Sequence, residues 1–218
     1  MANIFPRWTN TLPLKIVVAL AFVGAGVGAA VNYYFTPKYT NVGYQPDQPL
    51  PFSHKIHAGQ LGLDCRYCHS FVEQGLHANV PSSSTCYNCH QHIKTNSPHI
   101  AKIKESVETG KPLKWVQIHK TPDYAYFNHS VHVNSGVSCV SCHGKINEMP
   151  VVFQAHSLSM SWCLDCHRAP EEHLRPMDKV TNLNWTAESA GLDQTEMGEA
   201  LKKAWKIAPP EQCGACHR

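Results

Sequence analysis

The chain has 218 residues and a formal net charge of +3, which allows one or two small domains and excludes the strong basic excess of a nucleic-acid binder. No basic run with interleaved aromatics restores that partner class locally. Its outliers are 10 cysteines and 15 histidines, while 15 prolines and 13 glycines point to a loop-rich soluble part with short helices.

The first element is apolar. Leu14 to Phe35 reads LKIVVALAFVGAGVGAAVNYYF, about 22 residues and so roughly 33 Å as a helix, enough to cross a bilayer core. Arg7 and Lys15 are basic and no acid occurs between Met1 and Lys38, so residues 1–13 are expected in the cytoplasm and everything after Thr36 outside. Tyr33 and Tyr34 fall where an interfacial aromatic belt forms. The stretch is long for the apolar part of a cleaved signal, which favours a retained single-pass anchor in the cytoplasmic membrane. Gly24, Gly26 and Gly28 offer a small-residue surface to a neighbouring membrane helix, or are simply tolerated in a span. Residues 36–51 (TPKYTNVGYQPDQPLP) then read as an extended Pro-rich linker.

Beyond the linker every cysteine falls in one of five C-x-x-C-H motifs: Cys65/Cys68/His69, Cys86/Cys89/His90, Cys139/Cys142/His143, Cys163/Cys166/His167 and Cys213/Cys216/His217. Two cysteines three apart each form a thioether to one haem vinyl group, and the histidine that follows sits under the iron as proximal ligand. Zinc ribbons combine C-x-x-C pairs into four-ligand sites, which leaves one of five pairs unmatched and the histidines unused. A disulfide framework leaves the histidines equally unexplained. The expected cofactor is five haem c, in a fold of mostly loop and short α-helices wrapped around stacked haems.

An internal repeat organises the motifs. Phe52-Ser53-His54-Lys55-Ile56-His57 precedes motif one and Phe127-Asn128-His129-Ser130-Val131-His132 precedes motif three, both F-x-H-x-x-H. Each is followed by a Gly-containing turn and two motifs. The expected division is therefore 52–126 for a first two-haem unit, 127–177 for a second, and 178–218 for a C-terminal segment with the fifth haem.

The F-x-H-x-x-H element resembles the opening of the small multihaem cytochromes of the c3 and c7 families. That resemblance implies distal iron ligands: His54 for haem one, His57 for haem two, His129 for haem three and His132 for haem four. His156, seven residues before Cys163, resembles the c7 histidine that serves a further haem, and is assigned to haem five. His77 occupies the equivalent place in the first repeat with no haem left for it. His119, His92, His99 and His173 are expected at the surface or on haem propionates. Met149, Met160 and Met177 keep one His/Met haem open as an alternative.

Between the repeats, Ser97-Pro98 followed by HIAKIKESVET and Gly110 predicts a capped helix of about three turns. From Thr181 to Ile207 no haem-ligand type except Met197 occurs, and TEMGEALKKAWKI (195–207) has an amphipathic pattern, with Leu201, Ala204, Trp205 and Ile207 available to dock on the haem domain or on a partner.

No nucleophile elbow, phosphate-binding glycine loop or carboxylate pair is set apart by spacing, and a fully bis-histidine set leaves no open iron position for a substrate. The combination of anchor, duplicated F-x-H-x-x-H units and phrases such as YFNHSVHV and CHGKINEMPVVFQAHSLSMSWCLDCHR resembles the pentahaem subunit of bacterial alternative complex III. The resemblance implies an electron-carrying subunit of a quinol-oxidising complex that is not an enzyme on its own. Its implied partners are quinol-binding membrane subunits, an iron–sulfur subunit, and a monohaem cytochrome or soluble acceptor, with the haem domain on the periplasmic side. The alternatives are a self-contained membrane-anchored quinol dehydrogenase, whose family carries a haem motif closer to its membrane helix, and another multihaem respiratory electron carrier. A catalytic nitrite-reductase-like chain would need C-x-x-C-K, which does not occur.

Overall fold

The computed structural model describes residues 5–35 and 41–217, so part of the expected cytoplasmic segment and the first five residues of the linker lie outside it. Among the described residues there is no strand; a single isolated antiparallel bridge joins Val137 to Leu174. The apolar segment forms α1 (Leu12–Phe35), starting two residues before the expected position, and among the described residues it alone is long and apolar enough to cross a membrane. Its side chains are exposed throughout the span, which suits lipid rather than a protein core.

All five C-x-x-C motifs are helical: α2 (Cys65–Cys68), α3 (Ser83–His90), α6 (Cys139–His143), α7 (Met160–Arg168) and α9 (Cys213–Cys216). One turn of α-helix sets residues three apart on one face, so both thiols of a motif point the same way. Asp64 caps α2 by accepting from Arg66 N, and Ser159 caps α7 by accepting from Trp162 N.

The predicted helix after Ser97 is α4 (Pro98–Thr109). Ser97 accepts from His99 N, Pro98 occupies the first turn, and Gly110 ends it in the left-handed region at φ +69°. Ile100 and Ile103 of α4 join Leu50 in a small buried cluster that also receives Cys86, Tyr87, Leu113 and Trp115. The helix thus walls in motif two.

The predicted amphipathic stretch is α8 (Gln194–Trp205), capped by Asp193 through Glu196 N. It docks on the turn Pro170–Glu172 through Gly198, where a Cβ would run into the Glu171 carbonyl. Lys202 Nζ to Glu171 Oε2 at 2.7 Å and Gln194 Nε2 donating to the carbonyls of Glu171 and Leu174 at 2.9 Å fix the crossing. The helix therefore packs on the body of the chain, with Gly198 at the closest approach to Glu171 and the Trp205 ring against Gly136.

The duplication appears in three dimensions as reciprocal docking. In copy two, α5 (His129–Val133) docks on the loop after motif one: Ser130 N donates to Gly75 O at 3.2 Å and Asn134 Nδ2 to Glu73 O at 2.9 Å. In copy one, the π-helical turn Lys55–Gln60 docks on the loop after motif three, with Lys55 N donating to Met149 O at 3.0 Å and Gly59 against Asn147 O. Lys55 and Met149 stand at the repeat positions of Ser130 and Gly75, and Gly59 and Asn147 at those of Asn134 and Glu73. Each copy's histidine-bearing turn is therefore held by the other copy.

Candidate haem centres

Each F-x-H-x-x-H element folds into the same small aromatic cluster. Phe52 packs edge-on against His54 (4.9 Å, 90°) and nearly flat on His57 (4.4 Å, 25°); Phe127 does the same with His129 (4.7 Å, 84°) and His132 (4.5 Å, 31°). One phenyl ring thus sets the orientations of two imidazoles and shields them from water.

Three of these imidazoles face histidines of the C-x-x-C-H motifs. Ring centroids are 6.2 Å apart for His57 and His90, 6.5 Å for His129 and His143, and 6.1 Å for His132 and His167. Two imidazoles on opposite sides of one metal ion, each bonded at about 2 Å, place their centroids about 6 Å apart. The three separations fit an iron between each pair, and the His129/His143 rings are within 12° of parallel. His54 lies close enough to His69 to be influenced by its charge.

Hydrogen bonds set the tautomers. Nδ1 of His69 donates to Asn79 O (2.6 Å), of His90 to Ile93 O (3.0 Å), of His167 to Pro210 O (2.7 Å) and of His217 to Tyr124 O (3.0 Å). Nδ1 of His57 donates to Ser53 O (2.8 Å), of His129 to Leu76 O (2.8 Å) and of His132 to Asn128 O (2.7 Å). A carbonyl only accepts, so Nδ1 carries the proton in all seven rings and Nε2 keeps a free lone pair, the arrangement of a metal-ligating histidine. His54 and His143 differ: their Nδ1 atoms are buried without a partner.

Burial keeps four of the imidazoles neutral. It pushes His143 down to about 3, with His119 and then His129 adding to the effect, and His54 down to about 4, with His69 next in weight. His129 and His132 are lowered for the same first reason. A neutral ring is the form that binds a metal. The residues present therefore fit haem c: paired thiols on helical turns, and neutral imidazoles with their lone pairs free.

The remaining candidates fall in separate places. His156 stacks on Trp162 (5.6 Å, 19°), next to Cys163, whose thiol is raised by burial and then by Cys216 of motif five. The ring beside His217 is that of Tyr124, at 5.7 Å. His119, expected at the surface or on a propionate, is half-buried with its ring edge-on to His143 at 4.3 Å, and burial pushes it down to about 4. His77 lies near His129, while His92 and His99 are exposed. Met149 is buried beside Gly144, and Met160 and Met177 are exposed. Sequence reasoning missed the carbonyls that orient the imidazoles, because any residue supplies one. The role of Phe52 and Phe127 was visible only as the first letter of the repeat.

Residues 125–218 match the family of cytochrome c7 and related cytochrome c. That match spans the second F-x-H-x-x-H element and motifs three to five. The chain is also similar to the "Menaquinone reductase, multiheme cytochrome c subunit" of Nitratidesulfovibrio vulgaris (strain Hildenborough), 29% identical over 201 residues that cover 90% of this chain and 88% of that protein. Motifs, paired imidazoles and these likenesses agree in kind: the C-terminal part of the chain matches cytochrome c7 and related cytochrome c, the chain at large is similar to a multihaem cytochrome c subunit, and one N-terminal helix is long enough to span a membrane.

Proposed function

We propose that the chain is a membrane-anchored, five-haem electron-carrying subunit of a quinone-linked respiratory complex. The support is the set of three facing imidazole pairs at one common separation, formed by histidines of the F-x-H-x-x-H repeat. In this reading the ten motif cysteines carry haem c by thioethers, and His69, His90, His143, His167 and His217 are proximal ligands. His54, His57, His129 and His132 cap haems one to four, and His156 caps haem five. Haem c supplies reversible one-electron chemistry at its iron when bound.

The chain's own residues do three things for that chemistry. Backbone carbonyls hold the Nδ1 proton of seven of these rings and so aim Nε2; Phe52 and Phe127 fix ring planes; burial keeps His54, His129, His132 and His143 unprotonated. With histidine on both axial sides no position is open to a substrate, so the chain carries electrons and does not itself transform one. Helix α1 tethers the haem domain to the outer face of the cytoplasmic membrane. Partners of the alternative complex III type follow: quinol-binding membrane subunits, an iron–sulfur subunit, and a periplasmic cytochrome or other soluble acceptor.

The name of the similar protein favours a second direction, in which electrons arrive from a periplasmic donor and run toward menaquinone. A potentiometric titration of the purified complex separates the two. Haem potentials mostly above the menaquinone couple support quinol oxidation, and potentials mostly below it support quinone reduction. A pyridine haemochrome assay on the same sample should give five haems per chain. An isolated chain that takes electrons from menaquinol as fast as the whole complex would overturn the subunit reading in favour of a self-contained quinol dehydrogenase.

A further inference from the structure

We infer that the five attachment motifs are strung in the spatial order two, one, three, four, five, with motifs two and five as the ends at which electrons enter and leave. This rests on the five-haem reading above and orders its centres.

The junction of the two copies lies at motifs one and three. Consecutive residues clamp it: Ser138 Oγ donates to Val180 O at 2.7 Å, and Thr181 Oγ1 donates to Asp64 Oδ2 at 3.0 Å. Ser138 and Asp64 immediately precede Cys139 and Cys65. The clamp therefore brings the first cysteines of motifs three and one side by side, close enough for each thiol to perturb the other. Val72 of copy one and Val133 of copy two close over the same Val180. Cys65 and Cys139 occupy equivalent repeat positions, and contact between equivalent positions marks the axis that relates two copies. Reciprocal docking of the histidine-bearing turns is the outer part of that arrangement.

Motif two hangs from motif one on the side away from this axis. Asn88 Nδ2 donates to Tyr67 Oη at 3.4 Å, and the turn that carries His54 also carries His57, which faces His90. Beyond it lie α4 and the cluster of Leu50, Ile100 and Ile103. In copy two, α5 joins motifs three and four by presenting His129 to His143 and His132 to His167. Motif five follows motif four, with Pro210 O accepting from His167 Nδ1 at 2.7 Å and Arg168 paired to Glu211 at 3.5 Å.

Cysteine exposure points to the same ends. Of the ten thiols only Cys89 and Cys213 are exposed, one in motif two and one in motif five; the other eight are half-buried. Attachment points in the middle of a row are covered on both sides, and those at its ends are open.

The two orders differ in what loss of motif two does. If motifs followed sequence order, motif two would stand between one and three. The test uses the full chain in detergent with Cys86→Ser/Cys89→Ser, and separately Cys139→Ser/Cys142→Ser, each checked for four remaining haems and a cooperative melt. One electron is injected by a photoreductant and the spread among haems is followed optically. Loss of motif two should keep the fast equilibration among the other four centres, and loss of motif three should abolish it by separating motifs one and two from four and five. A motif-two variant that loses the fast phase would overturn the order. Iron positions in a holoprotein structure decide the matter without any variant: the iron of motif one should lie nearer to that of motif three than the iron of motif two does, and the reverse refutes the inference. Fewer than five haems on the parent chain would instead count against the reading on which the order rests.

Discussion

Replacing Gly59 by alanine tests the reciprocal docking at its tightest point. The new Cβ would run into Asn147 O and reach 3.4 Å from the Asn147 carbonyl carbon. That carbonyl has little room to retreat: Lys55 N holds Met149 O two residues on, and the buried Asn147 side chain donates to Asn184 Oδ1 at 3.0 Å. Overpacking of this kind costs about 1–3 kcal/mol. Against it stands the gain from removing a flexible glycine, about 0.4–1 kcal/mol through the unfolded chain. The net expectation is a loss of about 1–2 kcal/mol, which for a chain of this size lowers the melting temperature by about 2–4 °C per kcal/mol. Because Gly59 shares its turn with His57 and follows His54, the strain should also loosen distal ligation, giving a high-spin ferric fraction by EPR. The matching position in copy two is Asn134, which reaches Glu73 O by its side chain, so Asn134→Ala should cost only the hydrogen bond, about 1 kcal/mol. A Gly59→Ala protein that melts as high as the parent, with all haems low-spin, would refute the docking argument.

Other outcomes follow from the same geometry. His129→Ala and His132→Ala should each open one iron, visible as one high-spin or externally ligated ferric centre per chain, and a fully low-spin spectrum in either would refute the assigned pair. Phe127→Leu should cost about 0.5–1.5 kcal/mol beyond lost area, by removing the ring that orients both histidines, and Phe52→Leu should match it; unequal losses in the melt would break the equivalence of the copies. Gly198→Ala should raise amide exchange throughout α8, since the Glu171 carbonyl blocks a side chain there, and unchanged protection would refute the packing. For pH, His119 has an ordinary value of 6.5 in the unfolded chain and about 4 when folded, so the unfolded chain binds more protons between those limits. Stability should therefore be full above about 6.5 and fall as pH drops toward 4; a denaturant series showing stability rising across that interval on acidification would contradict the burial of this ring.

The parts legible in the sequence are those in which the chemistry demands a residue type at a spacing. Ten cysteines in C-x-x-C-H, the apolar run of α1 and the Ser97–Gly110 capped helix could be read directly, because thioether attachment, bilayer thickness and helix capping each leave a local signature. The F-x-H-x-x-H repeat gave the histidines, and the structure places His57, His129 and His132 opposite His90, His143 and His167. What the sequence did not reveal is long-range. The clamp of Val180 and Thr181 on Ser138 and Asp64 uses ordinary residues and a backbone carbonyl, so it has no pattern to read. The burial of His119 depends on where its ring lands against His143, which no spacing predicts. Gly198 was unremarkable in an amphipathic helix until the Glu171 carbonyl was found against it.

The crossed docking of the two copies has a consequence for biosynthesis. The turn bearing His54 and His57 leaves the ribosome long before the Asn147–Met149 loop on which it rests, and at about 5–20 residues per second the delay is on the order of ten seconds. During that interval motif one is available for haem attachment while its final support does not yet exist. The early histidines must then find their places on a partly assembled chain, and only the arrival of the second copy locks the first. Truncation between His69 and Met149 would leave a product that carries the first attachment motif but lacks the contact that secures its leading turn.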